Sequence, residues 1–174
     1  HREIFNLLIE KEFTKLDGIL KETALENLDV LEYCKNQQIP IPKLLIAANE
    51  YLLKVKINEY FSSDYEGYEI YKHIKRIREV IDRYGLSVDI KASKKKIEAY
   101  LLDLLEKYFN NKDSEAFLKD FLYVLKGILL LPINIHLWRL RNKWYDFLIK
   151  NKIGPAPKIK QLIKEVKEIL YIGI

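Results

Sequence analysis

The sequence has few of the residues on which several classes of protein depend. It contains one cysteine, Cys34, three histidines and no methionine among 174 residues. A single cysteine excludes a disulfide within the chain and a zinc site built on thiolates. The histidines, His1, His73 and His136, are too far apart to form the i, i+4 pair of a helical metal site. We therefore expect no metal ion, a packed Cys34 and a reducing, cytoplasmic compartment.

Long apolar runs and glycine-rich stretches are missing as well. The longest apolar run is broken by Pro132, Asn134 and His136, so it falls short of the roughly 18 residues that a membrane span needs. The start of the chain has no uninterrupted apolar stretch of about 7–15 residues, which a signal peptide would require. The six glycines stand singly, and five prolines add few turns. We expect no membrane segment, no phosphate-binding loop, no cofactor and no many-turned β fold.

The residues that are present favour one all-helical domain. Hydrophobic residues make up 49% of the chain and charged residues 32%, which suits a core with a solvated surface. The length of 174 residues is that of a single domain. Because the chain begins at His1 and lacks methionine, we expect residues 1–174 to be one domain cut from a longer protein.

Apolar spacing predicts the helices. Ile70, Ile74, Ile77 and Ile81 recur at intervals of four, three and four residues, which predicts a helix over residues 68–84 that ends at Gly85. Further helices are predicted at residues 3–8, 16–25, 28–37, 42–61, 94–109, 115–131, 134–150 and 158–170. Gly18 is expected to interrupt the two short helical pieces at the start of the chain, and Asn27 and Ser93 are expected to cap two other helices.

Three similar links separate these helices. They are extended apolar-x-apolar segments centred on Ile41, Val88 and Ile133, so they lie 47 and 45 residues apart. Helical-pair repeats of about 40–47 residues have this length. The fold class is therefore all-α: an irregular bundle of antiparallel helical hairpins, or the same hairpins stacked as three loosely repeated helix pairs.

Charge is distributed unevenly along the chain. Residues 1–66 carry 8 basic and 12 acidic side chains, whereas residues 72–96 carry 9 and 3, and residues 139–167 carry 9 and 2. Such a split can mark an anion-binding face, or it can mark parts that attract each other or a partner. The candidate anion-binding residues are Lys72, Arg76, Arg83, Lys91, Lys94, Lys95 and Lys96.

No catalytic residue is predicted. The carboxylate pairs Asp103/Glu106 and Glu165/Glu168 each have a lysine beside them in the sequence. They are therefore expected to lie on solvated faces and not to act as acids of raised pKa.

The most aromatic helix holds the second set of candidate residues. Five side chains are candidates for contact with a ligand or a neighbouring domain: Trp138, Arg141, Asn142, Trp144 and Tyr145. Both tryptophans could stack on sugars or belong to the core. Arg141 falls within an apolar arc, so it is expected to pair with a carboxylate or stack on a ring, to extend its head into solvent, or to bind a ligand.

The segment around this helix is similar to a known family. Leu131–Trp138, followed by Asn142, Trp144 and Tyr145, resembles the end of a helical domain of unknown function that follows glycoside hydrolase family fifty-seven-type catalytic barrels. The opening residues 1–5 (HREIF) also resemble the His-Arg-x-x-Phe start of that family. The family has glutamine where this chain has Arg141, so a role of that glutamine does not transfer.

The resemblance implies a function. The parent protein would act on α-glucans through two carboxylates of its barrel, and neither lies in this chain. The chain would then be a non-catalytic accessory domain that packs on the catalytic domain and can contact oligosaccharide. The alternative, based on charge alone, is a helical interaction module whose basic face binds an acidic protein or nucleic acid.

Overall fold

The protein is all-α, as predicted. The computed structural model describes residues 2–62, 65–110, 115–133, 135, 137–150 and 157–172, and within these ranges it contains eight α-helices and no strand. The helices are α1 Arg2–Glu26, α2 Leu28–Asn36, α3 Lys43–Tyr60, α4 Gly67–Tyr84, α5 Lys94–Asn110, α6 Glu115–Leu130, α7 Trp138–Lys150 and α8 Pro157–Ile172, with a 3-10 turn, Lys91–Ser93, before α5. None of the described helices combines the length and the apolar character that crossing a membrane would require.

The chain forms two compact units. The first unit comprises His1–Lys56 and Val80–Asp89, and the second comprises Ile57–Glu79 and Ile90–Ile174. Helices α3 and α4 contribute residues to both units.

In the first unit, α1 is one continuous helix. The predicted interruption at Gly18 is wrong, because the helix runs through this residue from Arg2 to Glu26. Gly18 is exposed and has no neighbouring atom within 4 Å of the position a Cβ would take. A glycine in a helix interior costs about 1 kcal/mol relative to alanine, which is too little to break a helix of 25 residues.

The C-terminal half of α1 packs on α3. Ala24 is fully buried with Ala48 and Leu52, and Leu20 packs against this cluster. The hydroxyl of Tyr51 also donates a hydrogen bond of 2.6 Å to Asp17.

The first unit differs from the sequence-based expectation in details of α2 and α3. The apolar spacing of α2 predicts burial of Leu28, Val30 and Leu31, but Leu28 and Val30 are 47% and 40% exposed, and Leu44 of α3 is 69% exposed. A nine-residue helix such as α2 presents only a narrow side to its neighbours, and that side holds Leu31 and Cys34. The side chain of Asn27 does not cap α2 and instead donates to the carbonyl of Thr23 in α1 at 2.8 Å.

In the second unit, α4 and α6 run in the same direction and approach closely. A Cβ placed on Gly67 would come within 2.6 Å of the Cα atom of Asp120. Further along both helices, a Cβ placed on Gly127 would lie 3.4 Å from the Cα atom of Tyr71. Because both residue numbers rise together, the two helices are parallel.

The same relationship recurs in two other helix pairs. Lys143 of α7 pairs with Glu106 of α5, and the Trp144 ring stacks on Tyr108 with ring centres 5.9 Å apart. Helices α5 and α7 are therefore parallel as well.

Helices α6 and α8 also run in the same direction. Glu115, at the start of α6, lies in the electrostatic field of Lys158 at the start of α8. Later in both helices, Lys126 forms an ion pair of 2.8 Å with Glu165.

Helices two apart in the chain are thus neighbours in the second unit. Helices α4, α6 and α8 begin at residues 67, 115 and 157, and α5 and α7 begin at residues 94 and 138. The intervals of 48, 42 and 44 residues agree with the predicted length of one helical pair. The described helices of this unit therefore form a bundle in which alternate helices of the chain are neighbours.

The core of the second unit is aromatic. Trp144 is 2% exposed, and its ring stacks on those of Tyr108 and Phe121 at 5.9 and 6.1 Å. Leu105 and Leu118, both fully buried, complete the contact between α5 and α6. This packing holds the start of α7 beside α5.

The link before α7 is longer than predicted. Helix α7 begins at Trp138 and not at Asn134, and its first turn is closed by the Arg141 N–H, which donates to the Leu137 carbonyl at 2.8 Å. Leu131, Ile135 and Leu137 are buried before that point. The link begins with a bend in which the Ile133 N–H donates to the Leu131 carbonyl at 2.8 Å, and the predicted helix start, Asn134, lies outside the described residues.

Candidate binding pocket

A pocket of about 700 Å³ lies between the first turns of α5 and the start of α7, within the second unit. Its floor is formed by Leu101, Leu137 and Leu140, each less than 10% exposed. Pockets that bind small molecules measure roughly 300–1,000 Å³ and have mostly apolar walls. The size and the floor of this pocket therefore fit a small ligand.

The polar lining of the pocket is mainly basic. Lys94, Lys95 and Arg139 line it together with a single carboxylate, that of Glu98. In the part of the chain that the structure describes, none of these three cations forms an ion pair. By contrast, Lys126 of the same unit pairs with a glutamate at 2.8 Å. The pocket thus carries two positive charges in excess.

The backbone adds to this positive potential. Helix α5 begins at Lys94 and α7 begins at Trp138, and both residues line the pocket. The N-terminal end of a helix carries a partial positive charge, with backbone N–H groups that point away from the helix. At α5 the Lys94 N–H already donates to the Lys91 carbonyl, so the helix end that reinforces the charge of the side chains is that of α7.

Trp138 supplies the aromatic surface of the pocket. It is 68% exposed, whereas Trp144 on the same helix is 2% exposed. Tryptophan is one of the most buried large residues on average, and its exposure is typical of binding surfaces. Of the two tryptophans, only Trp138 can reach a ligand from solvent, and Trp144 belongs to the core.

The remaining candidates on α7 lie outside the pocket lining. Arg141 is half-buried, while Asn142 is exposed and Tyr145 is 54% exposed. The predicted set on this helix is therefore divided, and only its first member reaches the pocket.

The predicted basic residues are also divided. Lys94 and Lys95 line the pocket, whereas the ammonium group of Lys72 lies 5.1 Å from the ring centre of Tyr68. Arg83 belongs to the first unit and lies 3.7 Å from Glu32. The remaining predicted basic residues, Arg76, Lys91 and Lys96, are exposed.

The described residues contain no arrangement typical of catalysis. No three His, Cys, Asp or Glu side chains among them converge as metal ligands would. Asp103 pairs with Lys107 of its own helix at 2.9 Å, whereas Glu165 pairs at 2.8 Å with Lys126 of α6 and not with a lysine beside it in the sequence. Cys34 is free and buried, also as predicted.

Two further polar groups lie at or in the core. His73 is half-buried at the edge of the apolar face of α4, and its ring stacks on Tyr60 with ring centres 4.5 Å apart. The hydroxyl of Ser93 is buried without a hydrogen-bond partner in the described structure, so this side chain does not cap α5. The 3-10 turn before α5 supplies the first hydrogen bonds instead, because the Lys94 N–H donates to the Lys91 carbonyl.

A second candidate surface lies on α1. Ile9, Phe13 and Leu16 are 37%, 67% and 53% exposed, and they share one face of the helix with Leu20 and Ala24. The spacing of these five residues is four, three, four and four, so they form one continuous apolar row. Its second half packs on α3, and its first half is uncovered.

The uncovered row was missed in the sequence analysis. The prediction divided α1 at Gly18, and the spacing from Ile9 to Ala24 becomes visible only when the helix is treated as continuous. An exposed apolar row of this kind is typical of an interaction surface.

Comparisons of the chain with protein-family models, with curated proteins and with solved structures find no match. The resemblance to the glycoside hydrolase-associated domain therefore stays a prediction.

Proposed function

We propose that this chain is a non-catalytic helical accessory domain that binds a neighbouring protein domain through α1. The observation that carries the proposal is the apolar row of Ile9, Phe13 and Leu16, which continues a face already packed in its second half. A partner that covers the first half would extend an existing contact. In line with the resemblance described above, the partner we propose is the catalytic barrel of an α-glucan-acting, family fifty-seven-type glycoside hydrolase.

Energetics support a partner at this row. Covering a large apolar side chain contributes roughly 1.5–3 kcal/mol, and three such side chains lie in the uncovered segment. An adjacent ion pair, Lys15 with Glu12 at 2.8 Å, leaves acidic and basic groups at the edge of the row. An apolar centre with a charged rim is typical of protein interfaces.

The proposed accessory role is supported by the surroundings of the candidate carboxylates and of Cys34. The carboxylates discussed above are paired with lysines, and the lone cysteine is buried. Such a domain would stabilise or position its catalytic partner and leave the chemistry to it. A cytoplasmic location suits the single reduced cysteine.

The test is binding of the chain to such a barrel. We expect the chain to bind the isolated barrel in sedimentation and calorimetry, and to release no sugar from α-glucan by itself. Phe13→Asp should weaken binding at least tenfold, because it places a charge in an apolar contact.

The matched control is Thr14→Asp, which adds the same charge one residue away. Thr14 is exposed and lies off the apolar row. This variant should bind as the wild type does. Failure of the wild-type chain to bind the barrel, or equal binding by both variants, would overturn the proposal, as would hydrolysis by the pure chain.

A second candidate function is an interaction module that binds nucleic acid or an acidic protein. The observation that favours it is the run of lysines at the start of α5, of which Lys94 and Lys95 line the pocket beside Arg139. Filter binding of a single-stranded oligonucleotide at low and high salt tests it. A steep loss of affinity with salt is expected for this candidate, and no binding at low salt would exclude nucleic acid.

A further inference from the structure

We infer that the pocket between α5 and α7 binds a small phosphate ester that carries a flat ring. The ring would stack on Trp138, and the phosphate would be held by Lys94, Lys95 and Arg139. This inference does not depend on a partner at α1, since the pocket residues lie in the second unit and α1 lies in the first.

The aromatic wall requires a ligand with a flat face. Trp138 is 68% exposed at the pocket, above a floor of buried leucines. An indole ring stacks on a nucleobase or on the C–H face of a sugar, and such stacking tolerates differences in the partner. An inorganic anion alone would leave this surface unused.

The basic wall requires an anionic group. Three cations face one carboxylate, and the cations have no ion-pair partner among the described residues. Phosphate is the anion that this combination suits, because arginine can bind two of its oxygens at once while lysines act as point charges. A neutral sugar would leave the positive charges uncompensated.

The start of α7 favours the same group. Trp138 is the first residue of α7, so the N-terminal end of this helix lies at the pocket. Helix N-terminal ends bind phosphate through backbone N–H groups and the helix dipole. This end strengthens the basic wall formed by Lys94, Lys95 and Arg139.

The size of the pocket limits the ligand. About 700 Å³ accommodates one ring system with its phosphate. Stacking on a longer nucleic acid requires several aromatic platforms along a basic groove, and the pocket offers one, Trp138. A sugar phosphate and a mononucleotide share the required chemistry, and the experiment separates them.

The experiment is a titration of the full chain, followed by tryptophan emission and by calorimetry. The probes are glucose 1-phosphate, AMP, maltose and inorganic phosphate. We expect at least one of the two esters to quench emission from the exposed Trp138 and to bind at least tenfold more tightly than maltose or inorganic phosphate. The ester that binds more tightly shows whether the ring of the ligand is a sugar or a nucleobase.

Variants assign the binding to the pocket. Trp138→Leu should abolish the quenching and weaken binding about tenfold, and Lys95→Ala should weaken binding and reduce its dependence on salt. The matched controls are Tyr145→Leu, an exposed aromatic on the same helix outside the pocket lining, and Lys96→Ala, the exposed lysine next to Lys95. Both controls should bind as the wild type does.

Several outcomes would overturn the inference. These are the absence of binding by either ester at millimolar concentration, maltose or inorganic phosphate binding as tightly as the esters, and a loss in Lys96→Ala equal to that in Lys95→Ala. Circular dichroism of each variant should match the wild type, because every substituted side chain lies at the surface. Ester binding without barrel binding would leave this inference standing and remove only the proposed function.

Discussion

Gly67 at the start of α4 lies directly against Asp120 in α6, and the two residues are also joined by a hydrogen bond. The backbone of Asp120 occupies the space that a Cβ on Gly67 would need. The N–H of Gly67 also donates a hydrogen bond to the Asp120 carboxylate. One residue pair therefore sets both the distance between two parallel helices and the electrostatics at the start of one of them.

The close approach predicts that Gly67→Ala is destabilising. The new methyl group would lie 2.6 Å from the Asp120 Cα atom, and overpacking against a backbone costs about 1–3 kcal/mol. Gly18→Ala is the control, because nothing lies within 4 Å of its Cβ position. It should stabilise α1 by about 1 kcal/mol. Urea denaturation of both variants measures the difference, and equal stabilities would show that α4 and α6 are further apart.

Burial of the Asp120 carboxyl predicts a dependence of stability on pH. Burial raises the pKa of Asp120 above its ordinary value of 3.8, the hydrogen bond from Gly67 lowers it, and the charge of Glu66 raises it again, with a net increase. The folded state therefore binds this proton more tightly than the unfolded state does. The ionised carboxylate consequently lowers the free energy of unfolding above pH 3.8, and this loss disappears as the pH falls below it.

Asp120→Asn tests this relationship. The amide keeps an oxygen that can accept from Gly67 and carries no charge to desolvate. We expect the variant to have a higher melting temperature than the wild type at pH 7, with the difference shrinking toward pH 3. A melting temperature that is lower at pH 7, or a difference that does not change with pH, would contradict the raised pKa.

At two helix ends in the first unit, glycine is expected to be the most stable residue. Gln38 and Gly85 both adopt left-handed backbone conformations, with φ of 56° and 64°. Each is followed by an N–H that closes the helix: Ile39 donates to Cys34 at 2.8 Å, and Leu86 donates to Ile81 at 3.1 Å. A side chain is strained in this conformation by about 1–2 kcal/mol.

Gln38→Gly should therefore stabilise the protein, by about 0.5–1 kcal/mol after the greater freedom of glycine in the unfolded chain is subtracted. Gly85→Ala should destabilise it by about 1–2 kcal/mol, although its Cβ would have open space. Chemical denaturation of the two variants checks both signs. If Gln38→Gly is destabilising, the left-handed end of α2 is incorrect.

The two tryptophans are expected to have different roles, Trp144 in stability and Trp138 in binding. Trp144→Ala should cost about 3–5 kcal/mol, because it removes a fully packed ring between Tyr108 and Phe121. Trp138→Ala should change stability by less than about 0.5 kcal/mol, because the side chain is mostly exposed. Thermal and urea unfolding measure both. A loss of stability in Trp138→Ala comparable with that in Trp144→Ala would place Trp138 in the core.

Most helices could be predicted from local spacing. The row of Ile70, Ile74, Ile77 and Ile81 is buried as expected, and α4 ends before Gly85. Helical periodicity and left-handed helix ends depend on residues within one or two turns of each other, so the order of residues is enough to reveal them. The interval of about 45 residues between helical pairs could also be predicted, because the links that mark it can each be recognised from neighbouring residues.

Local spacing failed where a boundary depends on distant contacts. Helix α1 continues through Gly18, and α7 starts four residues later than predicted. At the start of α7, Ile135 and Leu137 are buried before the helix begins. The gain from packing exceeds the small differences in helix propensity at these positions.

The pocket and the uncovered row of α1 also depend on contacts between residues far apart in the sequence. Lys94 and Trp138 are 44 residues apart, and they line one pocket only because α5 and α7 stack in parallel around Tyr108 and Trp144. Likewise, only the position of α3 leaves Phe13 exposed while it covers Leu20. The order of residues was sufficient for the helices and their ends, because those depend on near neighbours. Which side chains meet, and which stay uncovered, follows from the packing of helices far apart in the chain.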